Sequence, residues 1–96
     1  MKIRKIKKLV TDLEGYDFIV IKSLKKFFSS IEQIQHECNT NDGRETYHNI
    51  ENYESNFDKL LGATHKKIAC GFGNLEKNSF AVPAGYRFRD ILWELK

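Results

Sequence analysis

The stretch Leu9-Val10-Thr11-Asp12-Leu13-Glu14-Gly15-Tyr16-Asp17-Phe18-Ile19-Val20-Ile21 constrains this chain most, because an apolar strand, a carboxylate-bearing turn and an amphipathic helix meet in it. Leu9 and Val10 read as the end of a strand. Gly15 allows a sharp turn that a side chain would crowd. Asp17 can cap a helix whose apolar positions Phe18, Val20, Ile21, Leu24, Phe27 and Phe28 recur at three- and four-residue spacing. Together they are the opening of a βαβ unit.

The remaining elements follow from changes of period. Ser29 and Ser30 interrupt the helical pattern, and Gln33 to Cys38 alternates as a second strand. Ile34, His36 and Cys38 share one face of it; Gln33, Gln35 and Glu37 share the other. A strand, a helix and a second strand of these lengths imply a parallel pair with a right-handed crossover. Asn39 to Arg44 is a polar loop in which Asn41-Asp42-Gly43 supplies turn chemistry. Its oxygen-rich side chains miss the spacing of a calcium loop, since the glycine is misplaced and the closing glutamate is absent. A second helix is expected from about Asn49 to Leu61, with Ile50, Tyr53, Phe57, Leu60 and Leu61 on its apolar stripe and Asn52, Ser55 and Asp58 towards solvent. Glu51 and Glu54 near its start and Lys59 in its last turn suit the helix dipole, and Gly62 ends it.

His65 to Phe72 reads as a third strand and Arg87 to Leu95 as a fourth, with Ile91, Trp93 and Leu95 on one face and Leu92 on the other. Between them Gly73 to Tyr86, with Asn78, Pro83 and Gly85 as breakers, carries no helical period. The last two strands are therefore expected to be antiparallel neighbours. The predicted fold class is α/β: one domain of 96 residues with a four-stranded sheet, its first two strands parallel and its last two antiparallel. A chain of this size buries roughly two thirds of its unfolded surface, so the core is thin.

The net charge of +3 is concentrated at the start, in Lys2, Arg4, Lys5, Lys7 and Lys8. That run could meet phosphates or an anionic surface, or be a solvated lead-in to the first strand. No aromatic residue is interleaved with it, which weighs against nucleic acid. No apolar segment reaches the roughly 18 residues of a membrane span, and the basic start lacks the apolar stretch of a secretory signal, so a cytoplasmic location is expected. Cys38 and Cys70 form neither a metal spacing nor a disulfide framework and are expected as buried free thiols.

The series Asp12-x-Glu14-Gly15-x-Asp17-x-x-Val20, preceded by apolar strand residues and followed by a helix, resembles the FkbM-type S-adenosylmethionine-dependent methyltransferases. Ile21 stands where that family usually has Leu. Glu37-Cys38-Asn39 is similar to the Glu-x-Asn that ends the family's following strand, and Asp90-Ile91-Leu92-Trp93 resembles its closing antiparallel strand. The resemblance implies the second half of a Rossmann-like methyltransferase, the fourth strand through the seventh. It also implies S-adenosylmethionine as cofactor and methyl transfer to an oxygen of a small molecule or glycan. In such folds a Gly-rich turn after the first strand and an acidic residue ending the second hold the cofactor. Neither is found here; the one Gly-x-Gly, Gly71-Phe72-Gly73, reads as a turn. The chain alone is therefore expected to be inactive, and no residue of it is assigned to the cofactor.

Parallel neighbours lie about 5 Å apart, so Asp12 and Glu37 are expected at one rim, with Glu14 and Asn39 from the turns beyond. Ligands bind outside the carboxyl ends of strands in open α/β sheets. Asp12, Glu14 and Glu37 are the candidate catalytic residues, one of them as a base, and Asn39 and His36 the candidate substrate-binding residues. A hard metal ion on the carboxylates, or a purely turn-holding role for Asp12 and Glu14, are the competing readings. No metal is assigned; His36 can equally be a satisfied strand histidine, and His48 and His65 are assigned nothing. Tyr86, Arg87, Phe88 and Arg89 could stack and pair with single-stranded nucleic acid, or serve strand packing. An unpaired side of the strand ending at Asp12 points to self-association or to a companion chain that supplies the missing strands. The alternative function is a non-catalytic interaction or nucleic-acid-binding module with a basic N-terminal arm.

Overall fold

A computed structural model of the chain describes residues 5–13, 15–39, 52–71, 75 and 88–96. Four strands, β1 (Ile6–Val10), β2 (Ile31–Asn39), β3 (His65–Gly71) and β4 (Phe88–Leu95), form a single sheet of order β1-β2-β4-β3. Helix α1 (Asp17–Ser23) and a 3-10 helix (Lys25–Ser30) link β1 to β2, and α2 (Glu54–Leu61) precedes β3.

β1 and β2 are parallel, with Leu9 beside Ile34 and Val10 beside Gln35. β4 is antiparallel to β2 on one side and to β3 on the other. β3 therefore runs in the direction of β1 and β2, and the last strand enters between β2 and β3 in the opposite sense. The parallel first pair and the antiparallel last pair agree with the expectation from sequence. Insertion of β4 next to β2 was not part of it, because periodicity identifies strands without ordering them.

The pleat divides the core. Ile34 and Cys38 of β2 and Ile91 and Trp93 of β4 face Phe18 and Ile21 of α1 and Phe57 and Leu61 of α2. Phe18 and Phe57 meet edge to face, with centroids 5.2 Å apart, and so tie the two helices together over the sheet. Leu92, the alternate residue of β4, belongs to a smaller cluster with Ile68, Ala69 and Leu75. The register of β3 shifts between Lys67 and Ala69, and this bulge lets the adjacent Ile68 and Ala69 both be buried.

Three sequence expectations are corrected. The first helix is not continuous to Phe28: Leu24 turns, its N–H bonding Ile21 O at 2.9 Å, and the chain tightens into the 3-10 helix. With three residues per turn, Phe28 still reaches the core, while Val20, expected on the buried stripe, is exposed. β2 is longer than Gln33 to Cys38, because Ile31 finds Ile6 at one end and Asn39 finds Phe88 at the other. The second helix begins at Glu54 rather than near Asn49, since Tyr53 is extended and bridges to Asn39. Residues 49–51 lie outside the described residues, as do the 40–44 loop and all of the 73–86 connection but Leu75. Gly62 caps α2 as expected, though in right-handed conformation; a Cβ there would come within 2.5 Å of Asp58 O. Among the described residues no helix is long and apolar enough to cross a membrane.

Candidate functional site

The turn after β1 is held by a residue that reaches backwards. Thr11 N–H continues the parallel ladder to Gln35 O at 3.0 Å. Asp17, buried at the first position of α1, accepts from Thr11 Oγ1 at 2.5 Å and from Leu13 N at 3.3 Å. It therefore does not cap α1 as expected; the N-cap position is Tyr16, which makes no side-chain cap bond. Gly15, with φ of 99°, provides the left-handed step that other residues rarely adopt. Asn52 closes the arrangement from the other side, its Oδ1 accepting the Phe18 N–H at 3.1 Å. Sequence placed Asn52 on a solvated face, but it is fully buried.

Between the pinned residues Thr11 and Leu13, Asp12 is exposed. Continuing the register by two residues from Val10 and Gln35 brings the Asp12 backbone level with Glu37. β4 starts at the same end of the sheet, so Glu37 is paired with Asp90 and Asn39 with Phe88. Sequence did not single out Asp90 for the site, because its place beside Glu37 depends on β4 lying next to β2. Asn39 is fully buried, and neither atom of its amide has a hydrogen-bond partner among the described residues. Leaving a buried polar group unbonded costs about 1–3 kcal/mol, so it calls for an explanation at this position. Asp12, Glu37 and Asn39 thus share one end of the sheet, as expected. Glu14 lies outside the described residues. Among the described residues no group of three or more His, Cys, Asp and Glu is placed to hold a metal ion.

His36 points the other way, into the helix-covered face. Its ring stacks on Phe57 with centroids 3.7 Å apart, and its Nε2 accepts the Trp93 indole N–H at 2.8 Å. Indole nitrogen only donates, so the proton of the neutral ring is on Nδ1, which donates to Glu37 O at 3.3 Å. Burial drives its pKa down to about 3, against a smaller upward effect of the Glu37 carbonyl. Of the two readings of His36, this geometry fits the satisfied strand histidine. His65 is likewise buried: Nε2 donates to Ile31 O at 2.7 Å and Nδ1 faces Thr64 Oγ1 at 2.7 Å.

A charge cluster that sequence reasoning missed ties α2 to the sheet. Glu54 of α2, buried, is paired with Lys67 of β3 at 2.8 Å and with Arg89 of β4. Lys67 also meets Asp58 at 2.8 Å and lies over the Trp93 ring. Burial alone would raise the Glu54 carboxyl, but hydrogen bonds from Lys67 and Arg89 and their charge outweigh it and hold it below its ordinary value. Arg89 is thereby engaged within the fold; Tyr86 and Arg87, and the Phe88 side chain, lie outside the described residues. A charged residue at each third or fourth position of a helix was the available signal, and it does not name a partner on a distant strand.

Cys38 is buried and Cys70 partly so, and both are free. They flank β4 from opposite sides, opposite Arg89 and Ile91 respectively. Two strand spacings of about 4.8 Å separate them, beyond the reach of a disulfide. Burial pushes the Cys38 thiol up, so it is not a ready nucleophile.

These elements define a mixed α/β protein with a four-stranded sheet whose β1–β2 pair is parallel and whose other pairings are antiparallel. No protein-family model matches the chain, and no curated protein or solved structure matches it. Of the one Gly-x-Gly, Gly71 ends β3 with φ of 157°, and Phe72 and Gly73 lie outside the described residues.

Proposed function

We propose that the chain is the acceptor-binding half of an FkbM-type methyltransferase with a Rossmann-like sheet, acting on an oxygen of a small molecule or glycan. The observation that carries this reading is the sheet itself. A parallel β1-α1-β2 unit is followed, at the end of the chain, by an antiparallel strand, which is the succession the sequence resemblance implies. The cofactor's own site belongs to strands outside this sequence. What these residues contribute is the rim: Asp12, exposed at the turn, accepts the proton of an acceptor hydroxyl, and Glu37 and Asn39 at the end of β2 orient the acceptor. The amide of Asn39 supports a binding role, since a ligand would supply the partners that the described residues do not.

The test is complementation. The chain is combined with the Gly-rich N-terminal half of an FkbM-type methyltransferase, and transfer of labelled methyl from S-adenosylmethionine to hydroxyl acceptors is measured. Asp12→Ala should lower turnover by roughly 10²-fold or more while leaving the melting temperature within a degree or so, because Asp12 is exposed. Asn39→Ala should raise KM without loss of stability. Unchanged turnover in Asp12→Ala, or no activity in a complex that forms, would overturn the reading.

A further inference from the structure

Charge is unevenly divided along the chain. Residues 1–27 hold eight Lys or Arg and three Asp or Glu, a formal charge of +5, while residues 28–96 hold eight and ten, a charge of −2. Of the three acids in the first part, Asp17 is buried against Thr11. Lys7, Lys8, Lys22, Lys25 and Lys26 are exposed and enter no ion pair among the described residues; Lys5 meets Glu32 at 3.6 Å. The exposed apolar side chains follow the same division, since among the described residues every exposed large hydrophobic lies between Ile6 and Val20. Three of them share one face. Tyr16 at 61% exposure, Ile19 at 46% and Val20 at 38% recur at three- and four-residue spacing on the side of α1 opposite Phe18 and Ile21, which meet the core. Lys22 lies on the same helix, and Lys25 and Lys26 follow within a turn of its end. The ammonium groups of Lys22 and Lys26 stand 5.9 Å and 5.1 Å from the ring centroids of Phe18 and Phe27, so charge is held beside apolar rings, as lysines hold it at an apolar–aqueous boundary.

We propose that the outer side of α1 docks on an anionic lipid bilayer: Tyr16, Ile19 and Val20 enter the headgroup region, and the lysines of this part of the chain meet acidic headgroups. α1 has seven residues, so the apolar area it can bury is small and the lysines supply most of the attraction. A bilayer surface uses both kinds of side chain. Nucleic acid would use the lysines and leave Ile19 and Val20 in water. A protein partner suits this composition less, since protein interfaces are enriched in Arg and depleted in Lys, and all six basic residues described in this part are Lys. The proposal stands on charge and exposure and does not depend on the methyltransferase reading.

Phosphatidylcholine vesicles with and without phosphatidylserine are the probes, with a single-stranded oligonucleotide as the third. The full chain should sediment with the phosphatidylserine vesicles, less so as salt is raised, and not with phosphatidylcholine alone. Lys25→Glu/Lys26→Glu should lose roughly tenfold or more in vesicle affinity, and Ile19→Ser/Val20→Ser, at exposed positions, roughly tenfold. Tyr16→Trp should fluoresce as a solvent-exposed indole in the free chain and shift to the blue on the acidic vesicles, which lysines acting alone would not cause. The proposal is overturned by equal binding to both vesicles, by no binding at low salt, or by affinity unchanged in either double variant. It is also overturned by oligonucleotide binding tighter than vesicle binding, by dimerisation that Ile19→Ser/Val20→Ser abolishes, or by Tyr16→Trp emission already blue-shifted in the free chain, where the chain itself would cover this face. Circular dichroism of each variant separates loss of binding from loss of fold.

Discussion

His36 and His65 are buried as opposite tautomers, each fixed by a neighbour that can only donate or only accept. Burial lowers the pKa of both, that of His36 to about 3. Such a group is neutral in the fold and charged in the unfolded chain below its ordinary pKa of 6.5, so protons favour unfolding. Its contribution is complete above about pH 6.5 and declines as pH falls towards 3, by up to about 5 kcal/mol, a large part of a typical domain's stability. Glu54, with its pKa lowered, adds to the loss in the same direction as pH falls below its ordinary 4.5. Urea midpoints should therefore be level from pH 7.5 to about pH 6.5 and fall from there to pH 4. His36→Phe should flatten that slope while costing about 1–3 kcal/mol at neutral pH, because the Trp93 N–H loses its acceptor. Glu54→Gln should cost about 1–3 kcal/mol by the same measurement, less than for a fully buried pair, since water reaches parts of Lys67 and Arg89. An unchanged midpoint in Glu54→Gln would mean the cluster is a surface feature.

At the scale of elements, the β1-to-α1 turn depends on Asp17 more than on the Asp12 and Glu14 that sequence singles out. Removing its carboxylate strands the Leu13 N–H and the Thr11 hydroxyl, so Asp17→Ala should destabilise by about 2–4 kcal/mol, read as a fall in urea midpoint with an unchanged slope. Asp12→Ala should not. Sequence made the elements legible wherever a period was sustained: β2, β3 and β4 lie within a residue or two of expectation, and the alternation of Ile34, His36 and Cys38 named the buried face of β2. It did not show the break at Leu24, because a 3-10 turn keeps Phe28 at an apolar spacing. Nor did it place Asn52, His65 or Glu54, whose partners Phe18, Ile31 and Arg89 lie 34 or 35 residues away and are set by how elements pack.

For the molecule as a whole, the decisive feature is a sheet whose parallel beginning is closed by a reversed strand lying between β2 and β3. Strand directions were legible from connection lengths, since a helix joins β1 to β2; the position of β4 was not, and with it went the pairing of Glu37 with Asp90. In the proposed reading the rim at Asp12, Glu37 and Asn39 serves the acceptor, and the cofactor is held by other strands. Titration calorimetry with S-adenosylmethionine tests that division most directly, on the chain alone and after complementation with a Gly-rich methyltransferase half. The account predicts no binding heat from the chain alone and saturable binding by the complex; micromolar binding by the chain alone, or a complex that binds no cofactor, would contradict it.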